Sequence, residues 1–287
     1  MLAHKPISTD SVLKLGFCAS TGRTATMRLA KTLNSLPSVI GLHEGHIPGI
    51  QPTPILPMIN LENRKAWFDS EYAIELVSEL RNATLMKRAA ASAKCIIDVG
   101  YYNAPLLKAI SHVHPHAAML VIFRRCENFV RSATITTGED LQPAGWPDKS
   151  KSLTQRELFI SLGRLSPEKE CSDAKLWPEW SAIQRNIWLW YRVNSCLLRV
   201  FENYPNCHAI PFEYLEDRPD MFWTVTLKAF GLLNAENHEE CMRLTQEKIN
   251  SRKGYQIEKL EKWSFDEQMQ YRNLAAPLER DIYEKFY

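Results

Sequence analysis

Five short segments of the chain are mostly apolar: Val12–Cys18, broken only by Lys14, then Val39–Leu42, Cys95–Val99, Ala117–Phe123 and Cys207–Phe212. Such runs, lacking strict alternation, are the pattern of short strands buried on both faces of a sheet. Between them apolar positions recur at helical spacing. Ala25, Leu29, Leu33 and Leu36 form one such stripe. Strand and helix patterns in alternation predict an α/β fold, a three-layer sandwich with a central parallel sheet and crossover helices. A long aromatic helix is expected from Ser181 to Glu202, carrying Trp188, Trp190, Tyr191 and Phe201, and a closing helix from Ala276 to Tyr287. The stretch Pro48 to Pro57 reads as a proline-dense surface loop. Residues 138–180 have little periodicity and contain Pro143, Pro147, Pro167 and Pro178. They read as an insertion or lid within a single domain spanning 1–287.

The first strand runs into a small-residue loop with one cation, Thr21-Gly22-Arg23-Thr24-Ala25-Thr26-Met27, at the start of the first helix. A strand, a tight loop and a helix N-terminus bring backbone N–H groups together with the positive end of the helix dipole, which is an anion site. Arg23 and the hydroxyls of Thr21, Thr24 and Thr26 extend that P-loop-like cradle. The spacing is not a Walker A, since five residues separate Gly16 from Gly22 and Arg23 stands in place of the lysine. A second cation ends the fourth apolar run, where Phe123 is followed by Arg124, with Ser132 eight residues on. An arginine fork at a strand's carboxyl edge, joined by a hydroxyl from the next helix, suits a phosphate dianion.

Both segments, in this order, resemble the sulfotransferase family. Arg23-Thr24-Ala25-Thr26-Met27 resembles its 5′-phosphosulfate loop, Lys/Arg-Ser-Gly-Thr-Thr, with Ala25 and Met27 as departures. Arg124 and Ser132 are similar to its 3′-phosphate ligands, although Arg125-Cys126 replaces the usual Asp-Pro. Weaker likenesses follow the family's order: Asp98-Val99-Gly100-Tyr101-Tyr102-Asn103, Phe212 to Asp217 with Phe230-Gly231-Leu232, and Arg252-Lys253-Gly254, which is similar to the loop that closes over the 3′-phosphate. The resemblance spans about residues 12 to 255. It implies sulfuryl transfer from 3′-phosphoadenosine 5′-phosphosulfate (PAPS) to a hydroxyl-bearing acceptor, which can be a small molecule, sugar, lipid or peptide tyrosine. In that reading Thr21, Gly22, Arg23, Thr24, Ala25, Thr26 and Met27 hold the 5′-phosphosulfate. Arg124 and Ser132 hold the 3′-phosphate, with Arg252, Lys253 and Gly254 beside them.

Sulfuryl transfer needs a base for the acceptor proton and a cation for the bridging oxygen. Arg23 is the expected catalytic cation. The candidate bases end the second strand, in Leu42-His43-Glu44-Gly45-His46. Glu44 comes first, because its place 21 residues beyond Arg23 is similar to the spacing of the catalytic glutamate in tyrosylprotein sulfotransferases. His43 is the second candidate, since imidazole titrates near neutrality. Two other readings stay open. Cys95-Ile96-Ile97-Asp98 would serve as a Walker B strand in a small-molecule kinase using ATP and Mg²⁺, and a non-catalytic nucleotide-binding protein would tolerate the departures at Ala25, Met27 and Cys126.

Composition narrows the class without choosing among these. The 287 residues are 45% apolar and 24% charged, with a formal net charge of +2. That is ordinary for a globular enzyme and gives no overall field for nucleic acid. The N-terminal Met1 to Pro6 lacks an apolar secretory core and no stretch approaches a membrane span, so a cytoplasmic protein is expected. Seven cysteines without paired spacing read as reduced core residues. His112, His114 and His116 alternate, but Pro115 turns them into a surface turn, and no metal is expected.

Overall fold

In the computed structural model, which describes residues 13–43, 45, 62–81, 93–134, 146, 164–245 and 257–286, the apolar runs form one parallel sheet. Its strands are β1 (Lys14–Ser20), β2 (Val39–His43), β3 (Cys95–Val99), β4 (Ala118–Phe123) and β5 (Cys207–Pro211), in the order β2-β3-β1-β4-β5. β1 is central, with Phe17 opposite Asp98 on β3 and Met119 on β4. The chain leaves β1 toward one edge of the sheet and, after β3, crosses to the other side. The switch in direction therefore opens a crevice at the carboxyl ends of β1 and β4.

Successive strand residues face opposite layers. Phe17, Ala19, Met119, Val121 and Phe123 point into one core, while Cys18, Leu120 and Ile122 point into the other. The second core is covered by α1 (Thr26–Asn34), whose Leu29 and Leu33 are buried, and by Phe222 and Trp223 farther along the chain. α1 lies so close to β2 that a Cβ on Gly41 would sit 2.2 Å from the Ala30 carbonyl oxygen. Only glycine fits there. The first core is covered by α2 (Leu107–Val113), α3 (Cys126–Ala133), α4 (Ala182–Asn203) and α5 (Ala276–Glu284).

The long helix α4 begins at a capping box, in which Ser181 and Gln184 satisfy each other's backbone N–H groups. It leads directly into β5 and therefore runs against the strands, which puts its first turns above the carboxyl edge of the sheet. Trp190 confirms the placement, because its indole N–H donates to the Arg124 carbonyl at 2.7 Å. Strand limits differ from the sequence reading by one or two residues. β1 extends to Ser20 because Ala19 and Ser20 still pair with β4.

All seven cysteines are free thiols, and five are buried; Cys171 and Cys196 are partly exposed. Burial pushes the Cys95 thiol up to about 11 and those of Cys207 and Cys241 to about 12, which keeps them protonated and unreactive. Among the described residues no helix is long and apolar enough to cross a membrane.

Candidate functional site

The turn between β1 and α1 is built from left-handed backbone. Gly22, Arg23 and Ala25 have φ of 80°, 59° and 52°. Alternation of this kind directs successive N–H groups toward one side and makes an anion-binding concavity. Glycine adopts such angles freely, whereas Arg23 and Ala25 do so at a cost of about 1–2 kcal/mol each. Ala25 is also the residue before the first helical position, and no side chain caps the helix there.

Ser20 organises the turn from beneath. Its hydroxyl oxygen accepts from the Gly22 N–H at 3.0 Å and from the Thr24 hydroxyl at 2.7 Å. Thr24 is buried and spends its hydroxyl inside the turn, so it shapes the cradle from within. Thr21 donates to the Gly22 carbonyl at 3.3 Å. Met27 is solvent-exposed. Thr26, the first helical residue, has its hydroxyl 3.1 Å from His43 Nε2 at the end of β2. Sequence reasoning missed Ser20, because it ended the strand at Cys18 and took the serine for loop.

Arg23, Arg124 and Ser132 meet, as their order in the sequence suggested. Arg23 Nε donates to Ser132 Oγ at 3.1 Å. Arg124 is buried and donates from Nη1 to the Arg23 carbonyl, with its guanidinium 4.7 Å from the Phe212 ring centre. The arginine that ends β4 therefore braces the turn after β1. Glu44, His46, Arg252, Lys253 and Gly254 lie outside the described residues, as do the 48–57 loop and most of 138–163. On either side of 246–256 the chain is fastened to helices flanking the turn. Arg28 of α1 donates to the Leu244 and Thr245 carbonyls, and Arg131 of α3 donates to the Ile257 carbonyl at 3.1 Å.

Asp98, the Walker B candidate, is buried at the end of β3. One carboxylate oxygen accepts from the Tyr102 hydroxyl and the other from the Gly45 N–H at 3.2 Å. Both oxygens hold protein groups and fix the chain that follows β2. The alternating histidines sit at the end of α2 and in the turn after it, where His114 stacks on Phe17 with ring centres 6.3 Å apart. Among the described residues no group of three or more His, Cys, Asp or Glu side chains could hold a metal ion. Of the aromatic residues, Trp190 is core, while Trp146 and Trp180 pack around Trp177, which in turn meets Trp188 of α4 at 5.3 Å. These insertion tryptophans fasten that segment to the body.

No family model matches the chain, and no curated protein matches it. Solved structures of similar fold include the following two. One is a sulfotransferase domain from the curacin biosynthetic pathway, at 13% identity and a TM-score of 0.45, covering 83% of this chain and 79% of that one. The other is a sulfotransferase from Alicyclobacillus acidocaldarius, at 13% identity and a TM-score of 0.44, covering 82% of this chain and 91% of that one. Likeness at this level assigns no activity and no residue.

Proposed function

We propose that the protein is a sulfotransferase that moves the sulfuryl group of PAPS to a hydroxyl acceptor. The observation that carries the reading is the left-handed turn Gly22–Ala25, braced by Arg124 and touched by Ser132 at a topological switch point. Two phosphate groups at the two ends of one nucleotide suit two cations held this close together. The turn from Thr21 to Met27 holds the 5′-phosphosulfate, with the Gly22 N–H kept by Ser20 to shape it. Arg124 and Ser132 take the 3′-phosphate, and Arg252, Lys253 and Gly254 add to it from the segment between the Arg28 and Arg131 anchors. Free, buried thiols suit a cytoplasmic protein.

In the reaction the acceptor oxygen forms a bond to sulfur as the bond from sulfur to the 5′-phosphate oxygen breaks. The hydroxyl proton passes to the base, and the bridging electron pair leaves with adenosine 3′,5′-bisphosphate. Arg23 neutralises the charge that grows on that bridging oxygen. Glu44, one residue beyond His43 of β2, acts as the base. His43, the second candidate, is engaged with the Thr26 hydroxyl.

The test is transfer from PAPS across phenols, sugars, lipid alcohols and tyrosine peptides, with magnesium chelated. Phosphoryl transfer from ATP stops under that condition and sulfuryl transfer does not. Glu44→Gln is expected to lower turnover by about 10²–10⁴-fold with bisphosphate affinity intact. Loss of both together would make Glu44 structural, and bisphosphate binding with no turnover on any acceptor would leave a nucleotide-binding protein.

A further inference from the structure

Arg164 lies within the 138–180 stretch, and two neutral groups contact it. Its Nη1 donates to Asn186 Oδ1 at 3.3 Å and its guanidinium lies 5.2 Å from the Trp146 ring centre, while nearby Tyr101 works to raise its pKa. Among the described residues no carboxylate pairs with it. Burial lowers its pKa to about 10. Arg164 is half-buried, so its guanidinium is only partly hydrated and has no carboxylate beside it among the described residues, and a bound anion would supply that countercharge.

Two independent routes place this cation beside the phosphate turn. On one side Asn186, in the early turns of α4, donates to Thr134 Oγ1 at 3.1 Å, and Thr134 ends the helix whose Ser132 bonds Arg23. On the other side Tyr101 follows β3 at the carboxyl edge, and its Cβ would lie 3.5 Å from a Cβ built on Gly22. Arg164 thus stands between the end of β3 and the start of α4, over the edge of the sheet that carries the turn. Arg64, donating to Ser166 Oγ at 3.1 Å, brings a second cation to the same stretch of chain.

We infer that the acceptor carries an anionic group, a carboxylate or a phosphate, which Arg164 holds while the hydroxyl faces the turn. The inference rests on the sulfotransferase reading, because only there does a second ligand enter beside the nucleotide. The class of acceptor is then a hydroxy acid, a phenolic acid or a sugar phosphate, and not a plain phenol or alcohol.

The experiment compares matched pairs, 4-methylphenol with 4-hydroxyphenylacetate and glucose with glucose 6-phosphate. Transfer from PAPS and direct binding to the bisphosphate-saturated protein are both measured. The wild type is expected to prefer the anionic member of at least one pair by about 10- to 100-fold, the range of one charge-assisted contact. The two pairs separate a carboxylate from a phosphate. Arg164→Gln is expected to erase that preference by weakening the anionic member alone, with the neutral member and bisphosphate affinity unchanged, while Arg164→Lys keeps part of it. No preference in either pair, or equal losses for both members, would overturn the inference. Absence of bisphosphate binding by the wild type would sink the sulfotransferase reading instead, and the binding arm on protein without nucleotide would still decide whether Arg164 selects anions.

Discussion

Arg124 and Arg125 are neighbours at the end of one strand, yet they serve different halves of the molecule. Extended backbone sends adjacent side chains to opposite sides. Arg124 goes inward, beneath Phe212, and braces the turn that carries Arg23. Arg125 goes outward, with its side chain 45% exposed, to an ion pair with Glu279 at 3.2 Å and the face of Tyr283 at 4.3 Å. Around Arg125 each polar group is used by protein. Glu213 accepts from the Arg125 N–H at 2.9 Å and from the Tyr283 hydroxyl at 2.6 Å, and Glu279 accepts from the Cys126 N–H at 2.7 Å. Around Arg124 the backbone is left-handed at residues other than glycine, and the helix start has no side-chain cap. Strain concentrates where a ligand is expected, and satisfied geometry marks a structural joint.

That contrast is breakable, beginning with its largest effect. Arg124→Ala is expected to weaken adenosine 3′,5′-bisphosphate by about 10- to 100-fold and ADP by far less, measured by calorimetry, because one charged contact to the 3′-phosphate is lost. Equal weakening of both nucleotides would make Arg124 a brace for the turn alone. Glu279→Ala is expected to cost about 1–3 kcal/mol in denaturant unfolding, the penalty for a buried helix N–H left without an acceptor, with nucleotide affinity unchanged. A loss of affinity there would merge the two regions. Arg125→Ala should cost less than about 1 kcal/mol, since its ion pair is half in water. The smallest effect has the opposite sign. Ala25→Gly relieves a left-handed alanine and should raise stability by up to about 1 kcal/mol, after the larger chain entropy of glycine is set against the relief. A loss of stability would mean that the φ of 52° is not strained.

How far the sequence was legible follows from the range over which each feature is determined. The five strands, the long helix and the turn after β1 declare themselves in local patterns of a few residues. Arg124 and Ser132 were legible because both follow one strand at short spacing. Ser20 was not, because a serine at the last position of a buried strand looks like the start of a loop until its partners are known. Glu279 caps a helix 153 residues earlier in the chain, at Cys126, where the resemblance would have a proline with no N–H to satisfy, and no local pattern announces an acceptor from so far away. Asp98 had the right position for a metal ligand, and it takes partners such as Tyr102 and Gly45 to reveal that its oxygens hold protein. Arg164 stands in a stretch without periodicity, and its significance comes from what surrounds it.

The central claim is that the crevice at β1 and β4 reads a nucleotide phosphorylated at both its 3′ and 5′ ends. Calorimetric titration of the wild-type protein, without magnesium, with adenosine 3′,5′-bisphosphate and then with ADP tests it most directly. Binding of the bisphosphate is expected to be at least about tenfold tighter than that of ADP, the value of one charge-assisted contact. Tighter binding of ADP, strengthened further when magnesium is added, would contradict it and assign the same turn to an ATP-dependent kinase.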